Sequence, residues 1–256
     1  MVEEINIKKP VELAKYNFPC DDEICSNIPL PLPKTTFKMA IIGKSGSGKT
    51  NLLRNLTEKT GKNKIYAKKF SNVFYISPSI KSMDKKPKLP EDQFYQSLND
   101  LPEILDRIQN EDDKEGRSLL IMDDITNELK TGGMMGQHLK TIYQNNRHLG
   151  RPRIDEETGE QEESGALSSI ILSQRMNNLP RYIRSQITHF LIFDPRSTKS
   201  ELETIFNEII HCSKECFNEI LERTFSKKYN FLFIDVNKSK IYNGFTSEFI
   251  VPNVYL

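Results

Sequence analysis

The sequence predicts an α/β fold, a mostly parallel sheet flanked by helices, on three observations. Short apolar runs, FKMAII, NVFYIS, SLLIM, SSIILS and HFLIF, recur between helix-length amphipathic stretches, as expected when buried parallel strands are joined by helices. The first run leads into GKSGSGKT at Gly43 to Thr50 and then TNLLRNL, a strand, a glycine-rich loop and a helix in succession. The run SLLIM ends in Asp123 and Asp124, where the carboxyl edge of a parallel sheet carries its functional groups.

In chain order, residues 1–36 read as an extended arm. Pro19, Pro29, Pro31 and Pro33 within it oppose both helix and central strand. Residues 37–256 read as one domain, since 256 residues can bury a full core in a single unit. Between the strands, Gln137 to Arg147 places Leu139, Ile142 and Tyr143 on one helical face, and Glu201 to Ile210 does so with Leu202, Ile205, Phe206 and Ile209. Ile154 to Gly165, IDEETGEQEESG, has little to bury and reads as a long acidic surface loop. NFLFIDV and SKIYNGF, joined by a turn around Asn237 to Ser239, read as an added edge hairpin over residues 230–246.

Composition excludes some classes of function. Hydrophobic residues make up 37% and charged residues 28% of the chain, which indicates a globular protein with no membrane span. MVEEINIKKPVEL lacks the basic start and apolar run of a secretory signal, so the expectation is a reducing cytoplasmic compartment in which Cys20, Cys25, Cys212 and Cys216 are thiols. Their spacing does not match a zinc site. The net charge of +1 does not by itself point to nucleic acid. Lysines do cluster at Lys59, Lys62, Lys64, Lys68 and Lys69, and at Lys81, Lys85, Lys86 and Lys88. Each cluster reads as solvated surface or as a DNA-contacting patch.

The chemistry starts at the loop. Gly43, Gly46 and Gly48 permit a curl whose backbone amides, including those of Lys44, Ser45 and Ser47, face phosphate oxygens at a helix amino end. Lys49 reaches the β and γ phosphates, Thr50 offers its hydroxyl to Mg²⁺, and Asn51 completes the nucleotide-binding run. The expected ligands are ATP and Mg²⁺. Asp123 is placed to hold the metal and Asp124 to orient the attacking water. The alternative for Asp124 is a helix N-cap. SSIILS ends at Ser173 and is followed by Gln174, which reads as a sensor of the γ phosphate or as a surface turn residue.

Four segments, GKSGSGKT, LLIMDDI, NNRHLG at Asn145 to Gly150, and IILSQRMNNLPRYIRSQITHFLIF at Ile170 to Phe193, make the chain from about Phe37 to Phe206 resemble the FtsK/HerA superfamily of ATPases. Within it they resemble the poxvirus-type genome-packaging ATPases of large DNA viruses. The resemblance implies a P-loop NTPase with a RecA-like sheet in which the glutamine strand lies between the other two. It also implies a homo-oligomeric ring that pumps double-stranded DNA into a capsid, docked on a capsid or portal component at assembly sites in the host cytoplasm. Arg147 then acts as an arginine finger on a neighbour's nucleotide; its other reading is a basic residue at a helix end. Asp124 stands where many relatives carry Glu. Arg175, Arg181 and Arg184 read as DNA-channel or interface residues, or as a solvated face.

Two other functions fit part of the sequence. A P-loop kinase transferring phosphate to a small substrate is the alternative to the motor, but paired acids after an apolar strand fit water activation better. A GTP switch lacks its guanine-recognition segment, since NKSK at Asn237 has no acid.

Overall fold

The structure is a computed structural model. It describes residues 28–251 except 35, 59–64, 67–68, 84–85, 111–116, 131–133, 147–148, 150–152, 155–160 and 163–166. The strands are β1 (Lys38–Ile42), β2 (Asn72–Ile76), β3 (Phe94–Tyr95), β4 (Ser118–Asp123), β5 (Arg153–Ile154), β6 (Gln161–Glu162), β7 (Leu167–Ser173), β8 (His189–Phe193), β9 (Phe231–Asp235), β10 (Lys240–Asn243) and β11 (Ser247–Phe249). The helices are α1 (Lys49–Thr57), α2 (Leu101–Asn110), α3 (Met134–Asn145), α4 (Arg181–Arg184), α5 (Lys199–Glu208) and α6 (Lys214–Thr224).

Nine strands form one sheet in the order β11-β10-β9-β8-β1-β7-β4-β2-β3. The pairs from β8 through β3 are parallel, and β9, β10 and β11 continue the sheet antiparallel from β8. All five apolar runs are strands, and β7 lies between β1 and β4 as the resemblance implies. The expected C-terminal hairpin is β9 and β10, lengthened by β11. The two edge strands are the shortest of the sheet, two residues in β3 and three in β11.

Side chains alternate between two cores, as a pleated strand covered on both faces requires. From β1, Ala40 and Ile42 face one core while Met39 and Ile41 face the other. From β4, Leu120 and Met122 join the first, and Leu119 and Ile121 the second. The first core is covered by Ile104 of α2, Leu139, Ile142 and Tyr143 of α3, Ile205 of α5 and Phe217 of α6. The second is covered by Leu53 and Leu56 of α1, with Tyr66 and Phe70.

Two segments differ from expectation. Within the arm, Ile28 and Leu32 are buried in the second core, and the Tyr66 hydroxyl donates to the Pro33 carbonyl at 2.6 Å. Apolar side chains between the prolines give residues 28–34 something to bury; residues 1–27 lie outside the described residues. The acidic segment contains β6 and the last residue of β5, which pair as a two-stranded antiparallel ribbon with Arg153 opposite Glu162 and Ile154 opposite Gln161.

No helix among the described residues is long and apolar enough to cross a membrane. Cys212 and Cys216 are free thiols, and burial, with Cys216 alongside, pushes the Cys212 thiol up to about 11. Cys20 and Cys25 lie outside the described residues.

Candidate active site

Register brings three strand ends level. Ile42 pairs with Ser173 and Asp123 with Leu172, so the residues after β1, β4 and β7 emerge together at the carboxyl edge, where ligands bind in open parallel sheets. The Gly43 amide donates to the Ser173 carbonyl at 3.0 Å, tying the start of the loop to the end of the glutamine strand.

The loop needs its glycines. Gly46 and Gly48 have φ of +73° and +107°, a region costly for residues with a Cβ. At Gly43 the reason is space, because a Cβ would lie 2.6 Å from Ser47 Oγ and 2.7 Å from Phe193 Cβ. Gly48 caps α1 and the first turn of that helix contains no acid, leaving its amide end electropositive. Beside Gly46 a Cβ would meet nothing within 4 Å, so the curl opens into free space. The Lys49 ammonium donates to the Gly43 carbonyl and to the Lys44 carbonyl at 3.2 Å. Burial lowers its pKa, and the charges of Asp123 and Asp124 oppose that shift.

A cleft of about 360 Å³ lies over this edge. The loop and helix contribute Ser45, Gly46, Gly48, Lys49, Thr50 and Asn51, the end of β4 contributes Asp123 with Asp124 just after it, and the end of β7 contributes Ser173 with Gln174 just after it. Of the predicted nucleotide-binding run, Gly43, Lys44 and Ser47 do not line the cleft; Gly43 is buried behind the curl.

The two acids differ. Asp123 is buried and accepts a hydrogen bond from the Tyr75 hydroxyl at 2.7 Å. Burial raises its pKa, the Tyr75 bond lowers it, Asp124 raises it and Lys49 lowers it, with a net upward shift. Asp124 is exposed, with φ of +57°, a left-handed conformation Asp tolerates better than most residues. The bend turns it out of the strand toward the cleft it lines. Thr50 and Asp123 give the cleft a hydroxyl and a carboxylate, hard oxygen donors of the kind Mg²⁺ takes.

Gln174 is exposed in the cleft on an anchored segment. Ser173 Oγ donates to the Arg175 carbonyl at 2.8 Å. The Met176 amide donates to buried Glu201 of α5 at 2.6 Å, with the Asn177 amide at 3.4 Å. Sequence reasoning missed Tyr75, Ser79 and Glu201. Tyr75 left a trace as the phenol in an otherwise apolar run; Ser79, which lines the cleft after β2, left none.

Arg147 lies outside the described residues. Arg175 and Arg181 are exposed, whereas Arg184 is paired with Glu208 at 2.7 Å. Of the lysine clusters, Lys81, Lys86 and Lys88 are exposed, and Lys86 lies 3.6 Å from Glu91.

A family profile described as NACHT domain matches residues 38–148, a span that takes in the phosphate loop and β4. Among solved structures, the chain is similar to the genome packaging NTPase B204 from Sulfolobus turreted icosahedral virus 2 in complex with ATP-gammaS. The identity is 20% and the TM-score 0.54, over 80% of this chain and 94% of that one. It is also similar to B204, the DNA-packaging ATPase from Sulfolobus turreted icosahedral virus, at 20% identity and a TM-score of 0.53 over 81% of this chain and 96% of that one. Comparison with curated proteins finds no match. The fold is that of a P-loop NTPase.

Proposed function

We propose that this chain is an ATP-hydrolysing motor of the poxvirus-type packaging group that translocates double-stranded DNA and packages a viral genome into a capsid. The observation that carries the reading is the convergence of Lys49, Asp123, Asp124 and Gln174 on one cleft from three adjacent strands. A kinase needs a second substrate beside the phosphate; here the side of the cleft facing the loop is occupied by acids suited to a water molecule.

In this reading the loop amides and Lys49 hold the triphosphate and stabilise charge that builds on the γ-phosphoryl oxygens. Thr50 and Asp123 would hold Mg²⁺, which when bound neutralises charge on the β and γ phosphates. Asp124 orients and polarises the water that attacks the γ phosphorus and takes up the proton the water loses, the bond to the β–γ bridging oxygen breaks, and ADP leaves with that electron pair. Gln174 contacts the γ phosphate or the water, and Glu201 keeps its segment in place.

The motor half of the reading draws on the two B204 structures, described as a genome packaging NTPase and a DNA-packaging ATPase, and on the four sequence segments. It takes the working form to be a homo-oligomeric ring with Arg147 acting between subunits, docked on a capsid or portal component in the host cytoplasm. ATP turnover measured with and without duplex DNA tests it. Turnover should rise with DNA, independently of DNA sequence, and the rise should fall steeply with salt because the contacts are to phosphates. Turnover that ignores DNA at low salt would overturn the motor and leave a hydrolase.

A further inference from the structure

The hydrolysis scheme leaves an apolar hollow beside the phosphate loop without a role. It measures about 540 Å³ and is walled by Phe193, Tyr229, Phe231 and Phe245 against Leu52 and Leu56 of α1. Gly48 and Asn51 line both this hollow and the phosphate cleft, so the two share a lip. The hollow includes residues of β8 and β9, on one side of β1, while the acids and Gln174 follow β4 and β7 on the other. A nucleotide whose γ phosphate points at the acids therefore extends its other end over Gly48 and Asn51 toward the hollow. The Phe193 and Tyr229 rings stand close over this lip: a Cβ added at Gly48 would be in van der Waals contact with them, at 3.5 Å and 3.8 Å.

Within the wall, Phe231 packs on Phe245 with centroids 4.8 Å apart and on Phe193 at 5.6 Å. These three rings support one another. Among the described residues Tyr229 joins no such ring pair; it is 60% exposed, with φ of +66°. An exposed aromatic ring in a left-handed conformation gains little from the core and meets a conformational cost. Lys228 lies over its ring, 4.8 Å from the centroid, and adds a cation to the approach.

We propose that this hollow holds the adenine ring of the ATP whose phosphates sit in GKSGSGKT, with Tyr229 stacking on the ring. This rests on the reading of the loop as a triphosphate site. It gives the antiparallel hairpin a function: the turn before β9 carries the residue that grips the base. Stacking uses the face of a base, whereas the phosphates are held by amides and Lys49, so the two parts of the nucleotide are separable in a binding measurement.

The test is calorimetric titration of the full chain with ATP and with inorganic tripolyphosphate. Tyr229→Ala should weaken ATP by about 10-fold or more, in line with stacking of one base on an aromatic ring, and leave tripolyphosphate unchanged. Tyr229→Phe should retain the parent affinity for both. Because Tyr229 is exposed and Ala keeps the same backbone cost, the Ala variant should fold. ATP affinity within about twofold of the parent in Tyr229→Ala, or equal weakening of both ligands, would overturn the proposal. Failure of the parent chain to bind either ligand would instead overturn the triphosphate reading itself.

Discussion

The Tyr75 hydroxyl donates to Asp123 Oδ2 at 2.7 Å, from β2 to the adjacent β4. The bond reaches the buried acid from behind, on the side away from the phosphate loop strand in the sheet order. It consumes one carboxylate oxygen and orients the other, so its loss should affect the metal before it affects the fold.

Tyr75→Phe keeps the ring that packs on Phe94 at 6.1 Å and deletes only the donor. The Mg²⁺ concentration for half-maximal ATP turnover should rise by about 10-fold, as for other groups that orient a metal ligand. Metal titrations of parent and variant measure it. An unchanged midpoint would reduce Tyr75 to packing.

Lys49→Ala and Asp124→Asn should separate. The first removes the cation on the β and γ phosphates and should abolish turnover. The second should leave ATP binding largely intact and slow hydrolysis by about 10²-fold or more, since only water activation is lost. Binding by titration and turnover by phosphate release decide the matter; parallel loss of both in Asp124→Asn would assign it a structural role.

Arg184 donates to both carboxylate oxygens of Glu208, at 2.7 Å each, and this bonding holds the Glu208 carboxyl below its usual range. A depressed carboxyl pKa supplies stability that is present above the unfolded-state value and lost as pH falls through the folded-state value. Glu208→Gln should therefore be less stable than the parent at neutral pH, by up to about 1 kcal/mol given its partial exposure. The gap should close below the ordinary carboxylate range. Urea melts at neutral pH and at about pH 3 would show it, and a gap that persists in acid would mean that shape rather than charge is at work.

Arg147→Ala should bind ATP and hydrolyse it poorly, because a trans-acting arginine is worth about 10³-fold in rate. Mixing supplies the test. Arg147→Ala subunits carry intact ATP sites and Lys49→Ala subunits carry intact fingers, so mixed rings should recover turnover that neither variant has alone. With mixed assembly demonstrated, no recovery would place Arg147 within its own subunit or in the fold.

Much of this was legible because local chemistry and global position agreed. GKSGSGKT needs glycine at Gly46 and Gly48, and both have positive φ; the five apolar runs are the five long parallel strands. What was hidden depends on residues far apart in sequence. Tyr75 and Asp123 become partners only through strand pairing, and Glu201 meets Met176 only when α5 folds back on the end of β7. The β3 strand is too short to show a period.

The lengths of the two edge strands bear on how copies of the chain can meet. Among the described residues, a sheet ending in β3 on one side and β11 on the other presents two and three residues of open ladder, too little to template a neighbour's backbone. In the ring proposed above, subunits would then recognise each other through side chains. Such contacts come apart without melting a strand, so neighbouring subunits of that ring would be able to shift against one another while each sheet stays whole.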